Sequence, residues 1–232
     1  MKLNVFSSAP ETACALIRYI IAILNAEPKK IFSIAFSGGT TPSVMYDIWA
    51  NEYRDVTPWE RIRFFWVDER CVRPNHSDSN FGVMNSLLLS QVPVINEQIY
   101  RIHGEADPLG EAKRYSKLVG KLLPKTNNLP TFDLVLLGVG EDGHTSSIFP
   151  GQEALLVSPH TYVVSRNPYD GQKRVALTGQ PIINAKRTVF LVTGEKKVSA
   201  VKDICNPEGK SPAAYIARNA QNVELFMDFL HQ

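Results

Sequence analysis

Residues 132–150 read FDLVLLGVGEDGHTSSIFP, an apolar run followed at once by glycines, acids and a histidine. The run Phe132–Leu137 is apolar at nearly every position, which predicts a strand covered on both faces of a sheet. Titratable side chains directly after such a strand lie at its carboxyl end. Open α/β sheets bind ligands at that end, so this stretch predicts both a fold class and the place of a site.

Short apolar runs alternate with helix-like patterns along the whole chain. The other runs are Ile31–Phe36, Ile62–Val67, Tyr162–Val164, Val175–Leu177 and Thr188–Val192, and the helix patterns cover residues 10–26, 42–50, 79–90, 107–123 and 195–204. This alternation predicts an α/β fold with a doubly wound, mostly parallel sheet and helices on both faces. We expect a single domain over residues 1–232, with a loop at Asn127–Pro130. Residues 222–229 fit either a strand or a helix.

The composition is that of an ordinary globular protein, and it narrows the classes of partner. Lys and Arg number 25 against 23 Asp and Glu, so no basic surface for nucleic acid is indicated. The apolar stretch over residues 13–26 contains Arg18 and lacks a signal-peptide pattern, so we expect an amphipathic helix and no membrane contact. The three cysteines are widely spaced and form no disulfide or zinc pattern, which indicates a cytoplasmic protein. A monomer and a small homo-oligomer both remain open.

A glycine pair follows the run Ile31–Phe36, within SGGTTP at residues 37–42. Two glycines let the backbone turn sharply and approach a ligand, and Thr41 as N-cap before Pro42 would start a helix. Free N–H groups at a helix start bind anions, so we expect a phosphate site here. Its candidate contacts are Ser37, Gly38, Gly39, Thr40 and Thr41. The alternative is a plain capped turn, and the segment is not a Walker loop because it lacks the Gly-Lys-Ser/Thr end.

Charged residues accompany three other predicted strands. The triplet Asp68-Glu69-Arg70 comes directly after Ile62–Val67, and its loop continues to Ser79-Asn80, where a helix begins. Lys173-Arg174 precedes Val175–Leu177, and Lys197 follows Thr188–Val192. We expect Asp68, Arg70, Arg174 and Lys197 at the same sheet edge, where the cations would bind an anion. A solvated loop with surface charges is the alternative for each.

His144 is the strongest catalytic candidate. Histidine has an unperturbed pKa close to neutral, so its imidazole can take a proton from water and return it. Asp142, two residues earlier, would orient the ring, and Gly143 leaves room for a ligand above the backbone. The alternative is a capped turn in which His144 is merely polar and exposed.

Two weaker patterns carry no site prediction. Glycines 138, 140 and 143 match GxGxxG, but Pro150-Gly151 leaves room only for a short helix and no acid closes the next strand, so a dinucleotide is not expected. The remaining histidines have no motif around them, and we expect them in loops or at the surface: His76, His103, His160 and His231.

These segments, in this order, resemble the 6-phosphogluconolactonase family, and the stretch 132–150 is the most specific part of the likeness. The resemblance implies a Rossmann-like α/β fold. It also implies hydrolysis of 6-phosphoglucono-δ-lactone, a small sugar-phosphate lactone, to 6-phosphogluconate, the second step of the oxidative pentose phosphate pathway. No cofactor or metal is expected, because a lactone is already an activated ester. One departure is Thr40, since lactonases often carry Arg after the two glycines.

The strand-end groups and the resemblance together predict the roles of the site residues. His144 would act as general base on water and Asp142 would orient it. Asp68 would position Arg70 or the sugar, and Arg70 or a backbone N–H would stabilise the oxyanion. The loop at residues 37–41 would hold the 6-phosphate, with Arg174 and Lys197 closing on it.

Two other functions stay open at this stage. Glucosamine-6-phosphate deaminases share the Ser-Gly-Gly loop and an Asp-Gly-His segment, but they carry a Glu where this chain has Phe149, and they tend to read Asp-Glu-Tyr rather than Asp68-Glu69-Arg70. A phenyl ring cannot relay a proton, so the deaminase reading loses a catalytic group. A non-catalytic sugar-phosphate sensor would normally carry a DNA-binding segment, for which we see no spare length.

Overall fold

A computed structural model describes residues 1–229; His231 lies outside the described residues. The strands are β1 (Lys2–Val5), β2 (Phe32–Phe36), β3 (Ile62–Trp66), β4 (Asp68–Arg70), β5 (Lys125–Thr126), β6 (Leu129–Pro130), β7 (Leu134–Leu137), β8 (Tyr162–Arg166), β9 (Lys173–Leu177), β10 (Thr188–Val192) and β11 (Val223–Met227). The α-helices are α1 (Ala9–Ala26), α2 (Thr40–Glu52), α3 (Asn80–Met84, continued by a π-helical turn over Asn85–Leu89), α4 (Pro108–Leu122), α5 (Gly179–Ile183), α6 (Val198–Cys205) and α7 (Pro212–Asn219).

The core is a six-stranded parallel sheet in the order β1-β11-β10-β7-β2-β3. Strands β2, β7 and β10 are buried at every position, which explains why their sequences are apolar without alternation. The predicted α/β class with a mostly parallel sheet is confirmed. From β2 the chain continues outward to β3, at the edge of the sheet. The next strand of this sheet, β7, lies on the opposite side of β2 from β3. The order of strands therefore reverses between β2 and β7.

A second sheet of three antiparallel strands, β4-β9-β8, stands beside the first. The apolar runs at residues 162–164 and 175–177 belong to this sheet and not to the parallel one. Only a tight turn over residues 167–172 joins them, and so short a connection can link antiparallel strands but not parallel ones. The segment Asp68–Arg70 is itself a strand with Asp68 and Glu69 buried, so the alternative of a solvated loop is wrong.

Several boundaries differ from the prediction. Asn127–Pro130 is not a plain loop, because it includes β6 and the two-residue turn of the hairpin β5–β6, with φ of 53° and 61° at Asn127 and Asn128. Helix α2 starts at Thr40 with Gly39 as its N-cap, so the prediction of Thr41 as cap is wrong. Residues 223–227 form a strand, while β1, α5 and α7 were not predicted. Those three are short, and β1 is an edge strand without an apolar run.

Helix α1 is long and apolar enough, with a mean hydropathy of 1.2, to cross a membrane by length and composition alone. Its buried side chains recur at helical spacing, and they include Leu16, Ile20 and Leu24. That face packs against α2 and β11, while Arg18 is exposed. In the described residues α1 is thus an amphipathic core helix, as its pattern indicated.

Glu69 connects β4 to the start of α3. Its carboxylate is only 2% exposed and accepts hydrogen bonds from the backbone N–H groups of Arg70, Asn80 and Phe81, at 2.7–2.8 Å. The Ser79 hydroxyl donates a fourth, at 3.0 Å. A buried carboxylate with four donors is a strong local constraint, because removing it leaves each donor without an acceptor.

We expect Glu69→Ala to destabilise the fold by about 3 kcal/mol or more, since four donors would lose their acceptor in a buried place. Urea unfolding followed by circular dichroism measures the change. The matched control is Glu60→Ala, whose side chain is 75% exposed and which should change stability by less than about 0.5 kcal/mol. Equal effects of the two substitutions would contradict this account of Glu69.

Candidate active site

A cleft lies at the carboxyl ends of β2, β7 and β10, where the strand order reverses. Ten of the eleven side chains and loop residues predicted from the sequence line it: Ser37, Gly38, Gly39, Thr40, Thr41, Asp68, Arg70, His144, Arg174 and Lys197. The eleventh, Asp142, is hydrogen-bonded to His144. The glycine loop and the histidine are more than 100 residues apart in the chain, and the sheet brings them to one cleft.

The glycine loop forms the start of helix α2. Gly39 adopts a φ of 105°, in the region that favours glycine, and as N-cap it has no side chain to cover the first N–H groups of the helix. Gly39, Thr40 and Thr41 line the cleft, so the start of α2 lies there, as an anion site requires. The hydroxyl of Ser37 is used inside the sheet, where it donates to the Leu136 carbonyl at 2.8 Å. Thr41 Oγ1 lies 3.0 Å from Thr193 Oγ1.

Gly38 has no room for a side chain. A Cβ atom there would lie 1.9 Å from Oδ1 of Asn80. Asn80 is fixed by its own amide, which donates to the Asp68 carbonyl at 2.8 Å. The glycine at this position therefore lets the β2 loop pack directly on the start of α3.

His144 and Asp142 form a hydrogen-bonded pair. Nδ1 of His144 lies 2.6 Å from Oδ1 of Asp142, and the same oxygen accepts the His144 backbone N–H at 3.1 Å. Burial alone would raise the pKa of Asp142, but a hydrogen bond from Tyr169, the His144 backbone bond and the imidazole outweigh it and lower the pKa. Asp142 therefore stays ionised beside the ring. A Cβ on Gly140 would lie 2.1 Å from Nδ1 of His144, so glycine is needed there too.

Phe149 packs against the face of the His144 ring. The two ring centroids are 4.4 Å apart with an interplanar angle of 36°, and Phe149 is 1% exposed. Phe149 also contacts Arg174, whose guanidinium carbon lies 5.6 Å from the centroid of the phenyl ring. The apolar ring fixes the imidazole by packing and supplies no proton-transfer group.

Asp68, Ser147 and Arg174 form a buried polar cluster. The Ser147 hydroxyl donates to Oδ2 of Asp68 at 2.5 Å and accepts a hydrogen bond from Nη1 of Arg174 at 3.2 Å. The distance from Arg174 Nη1 to Asp68 Oδ2 is 3.9 Å. Burial lowers the pKa of Arg174, and the Asp68 carboxylate acts against that shift. Ser146 and Ser147 have φ of 52° and 54°, an uncommon backbone for serine that is typical of functional sites.

The guanidinium groups of the cleft have N–H donors that no protein acceptor uses in the described residues. Arg70 donates to the Asp78 carbonyl at 2.8 Å, and the Nε atoms of Arg70 and Arg174 are buried without a partner in the described residues. A guanidinium carries five N–H donors, so both remain far from satisfied by protein acceptors. Lys197 forms no ion pair within residues 1–229 and is half-buried at the cleft. Among those residues no group of three or more His, Cys, Asp or Glu side chains could hold a metal ion.

Three side chains of this site escaped the sequence analysis. Ser147 and Asn80 lay in segments that the motifs covered, but nothing in the sequence indicated their hydrogen bonds to Asp68. Tyr169 contacts Asp142 across 27 positions, and it has no motif around it. Contacts of this kind depend on how two sheets meet, which local patterns do not report.

Comparison with known proteins agrees with this geometry. The sequence matches the family model described as glucosamine-6-phosphate isomerases/6-phosphogluconolactonase over residues 7–226. The 6-phosphogluconolactonase of Treponema pallidum is 37% identical over 208 residues, which covers 89% of this chain and 85% of the relative. That of Synechocystis is 39% identical over 191 residues, covering 82% and 77%.

A solved structure of 6-phosphogluconolactonase from Trypanosoma brucei superimposes with a TM-score of 0.87 at 29% identity, covering 97% of this chain and 95% of that one. The matching sequence model, the identities above 30% over most of the chain and the shared fold agree with one another. The chain belongs to the glucosamine-6-phosphate isomerase/6-phosphogluconolactonase family.

Proposed function

We propose that this protein hydrolyses 6-phosphoglucono-δ-lactone to 6-phosphogluconate in the cytoplasm, as a step of the oxidative pentose phosphate pathway. The observation that carries the proposal is that one cleft is lined by the hydrogen-bonded imidazole of His144 and by the start of helix α2, which has no side-chain cap. A ligand with a phosphate at one end and a carbonyl at the other would contact both. The relatives named 6-phosphogluconolactonase support the same reaction.

The 6-phosphate would bind at the start of α2. Backbone N–H groups near Gly39 and Thr40 would donate to its oxygens, and the positive end of the helix dipole favours the charge. Lys197 would add a cation from the turn after β10. Arg174 is already held at Ser147, so it would act as a preorganised cation and would not need to move in order to close on the ligand.

His144 would carry the proton. With Nδ1 bonded to Asp142, Nε2 would accept a proton from a water molecule whose oxygen bonds to the lactone carbonyl carbon. The carbonyl becomes a tetrahedral oxyanion, which then collapses and breaks the bond from that carbon to the ring oxygen. The protonated imidazole returns its proton to the leaving ring oxygen, so water is consumed and the base is restored.

The oxyanion needs donors that are in place before it forms. Arg70 is the side-chain candidate, because it lines the cleft with unsatisfied N–H groups, and a backbone N–H is the other. Asp68 would hold this side of the cleft in place through Ser147 and through the amide of Asn80, which contacts Asp68 at its carbonyl and its carboxylate.

The amino-sugar deaminase reading has no supporting contact here. Position 149, where those enzymes place a carboxylate, holds a phenyl ring packed on His144. A ring-opening acid is therefore missing at the point where it would have to act. Release of ammonia from glucosamine 6-phosphate by this protein would contradict that conclusion.

We expect His144→Ala to lower kcat by about 10²- to 10⁴-fold with little change in KM, because the base is lost while the phosphate contacts remain. The assay generates the lactone from glucose 6-phosphate and follows acid release, with the spontaneous hydrolysis subtracted. His160→Ala, at an exposed position, is the matched control and should keep wild-type turnover. Near-wild-type turnover by His144→Ala would remove this residue from the mechanism.

Lys197→Ala should mainly raise KM, by about 10-fold, because a charge-assisted hydrogen bond to the phosphate is lost while the reacting end is untouched. The control is Lys196→Ala, which removes the exposed neighbour of the same charge. Steady-state kinetics at fixed ionic strength separates KM from kcat. If both variants raised KM equally, the effect would come from the general field of the surface and not from a phosphate contact.

A further inference from the structure

We infer that Tyr169 is a positioning residue that holds the carboxylate of Asp142 against His144; the inference rests on the function proposed above. The Tyr169 hydroxyl donates to Oδ2 of Asp142 at 2.6 Å, while Oδ1 of the same carboxylate bonds to the imidazole at 2.6 Å. Both oxygens are thereby fixed, one by each partner. The three side chains form a chain of two short hydrogen bonds that ends at the cleft.

The ring of Tyr169 is placed by a second contact. It meets Phe149 edge to face, with ring centroids 6.3 Å apart and an interplanar angle of 79°. Phe149 in turn packs on His144 with the two rings tilted by 36°. Tyr169 is 72% exposed, so burial does not account for its orientation. The hydroxyl contact to Asp142 and the edge contact to Phe149 hold it instead.

Tyr169 lies in the turn between β8 and β9, and hydrogen bonds within the turn define its backbone conformation. Oδ1 of Asn167 accepts the Tyr169 backbone N–H at 3.0 Å, and the Asn167 amide donates to Asp170 at 2.8 Å. The backbone N–H of Gly171 bonds to the Asn167 carbonyl at 2.9 Å, with a φ of 73° at Gly171. Asn167 is itself buried. These bonds make the turn a defined support, which is what an orienting hydroxyl needs.

The chemical effect of the hydroxyl is on geometry and on charge. A carboxylate with one free oxygen can rotate about its Cβ–Cγ bond, and the imidazole would then lose its fixed orientation and tautomer. The donated hydrogen bond also draws negative charge toward Oδ2. The hydroxyl would therefore matter for the proton transfer at His144 and not for binding of the phosphate, whose contacts lie at α2 and Lys197.

The test is Tyr169→Phe, which removes the hydroxyl and keeps the ring on Phe149. We expect kcat to fall about 3- to 10-fold with KM within about twofold of wild type, as for the loss of one hydrogen bond acting through a neighbour. Tyr215→Phe, in helix α7 and away from the cleft lining, is the matched control and should leave both constants unchanged. Unchanged kcat in Tyr169→Phe, or a rise in KM alone, would overturn the inference.

A second readout does not depend on turnover. With ¹⁵N-labelled histidine, the imidazole signal of His144 reports the tautomer and the Nδ1 hydrogen bond, and it should shift in Tyr169→Phe but not in Tyr215→Phe. Asp142 shares a shallow surface pocket with four other charged side chains, which neither substitution changes: Glu141, Glu153, Asp203 and Lys210. A shifted signal in a protein without lactonase turnover would support the positioning role and reject the proposed function. An identical signal would reject the positioning role.

Discussion

The carboxyl ends of β2 and β7 lie side by side, and the cleft depends on that adjacency. The two strands are parallel, with Ile34 opposite Leu134 and Ala35 opposite Val135. Near the ends of both strands the Ser37 hydroxyl donates to the Leu136 carbonyl. The strand order reverses at this pair, so the loops that follow diverge and leave a crevice between them. One loop supplies the helix start and the other supplies His144. No local feature of either loop would produce the cleft without this pairing.

The second sheet contributes three further charged side chains to the cleft, Asp68, Arg70 and Arg174. Pairing of β4 with β9 sets Arg70 opposite Arg174, and the guanidinium of Arg174 is held near Asp68 by Ser147. The Nε atoms of both guanidinium groups are buried without a hydrogen-bond partner in the described residues, so each keeps an N–H donor free for a ligand. Ser147, which holds this arrangement together, has a left-handed backbone, as does its neighbour Ser146, and such a backbone is costly for a residue with a side chain.

The sequence predicted the parallel sheet and the loops of the site, because both leave local signals. Buried parallel strands are continuous apolar runs, and the glycines at 38 and 140 stand where a side chain would collide with Asn80 or His144. The antiparallel sheet was missed as a separate unit, since short apolar runs look alike whichever sheet they join. Ser147 and Tyr169 were missed because their roles consist of contacts between the sheets. A pattern along one chain segment carries no trace of such contacts.

The scaffold itself does not decide between the two chemistries of its family, so the decision lies in side chains at the cleft. A lactone is an activated ester, and its hydrolysis needs one group that moves a proton and donors for one oxyanion. Ring opening of an amino sugar needs a further acid. This chain places Phe149 on the imidazole, which removes a place for that acid and fixes the ring by packing. The same phenyl ring meets the Tyr169 ring edge to face, so its bulk also supports the residue that contacts Asp142. Phe149 therefore has two effects at once: it puts an apolar ring where a carboxylate would stand, and it packs against His144.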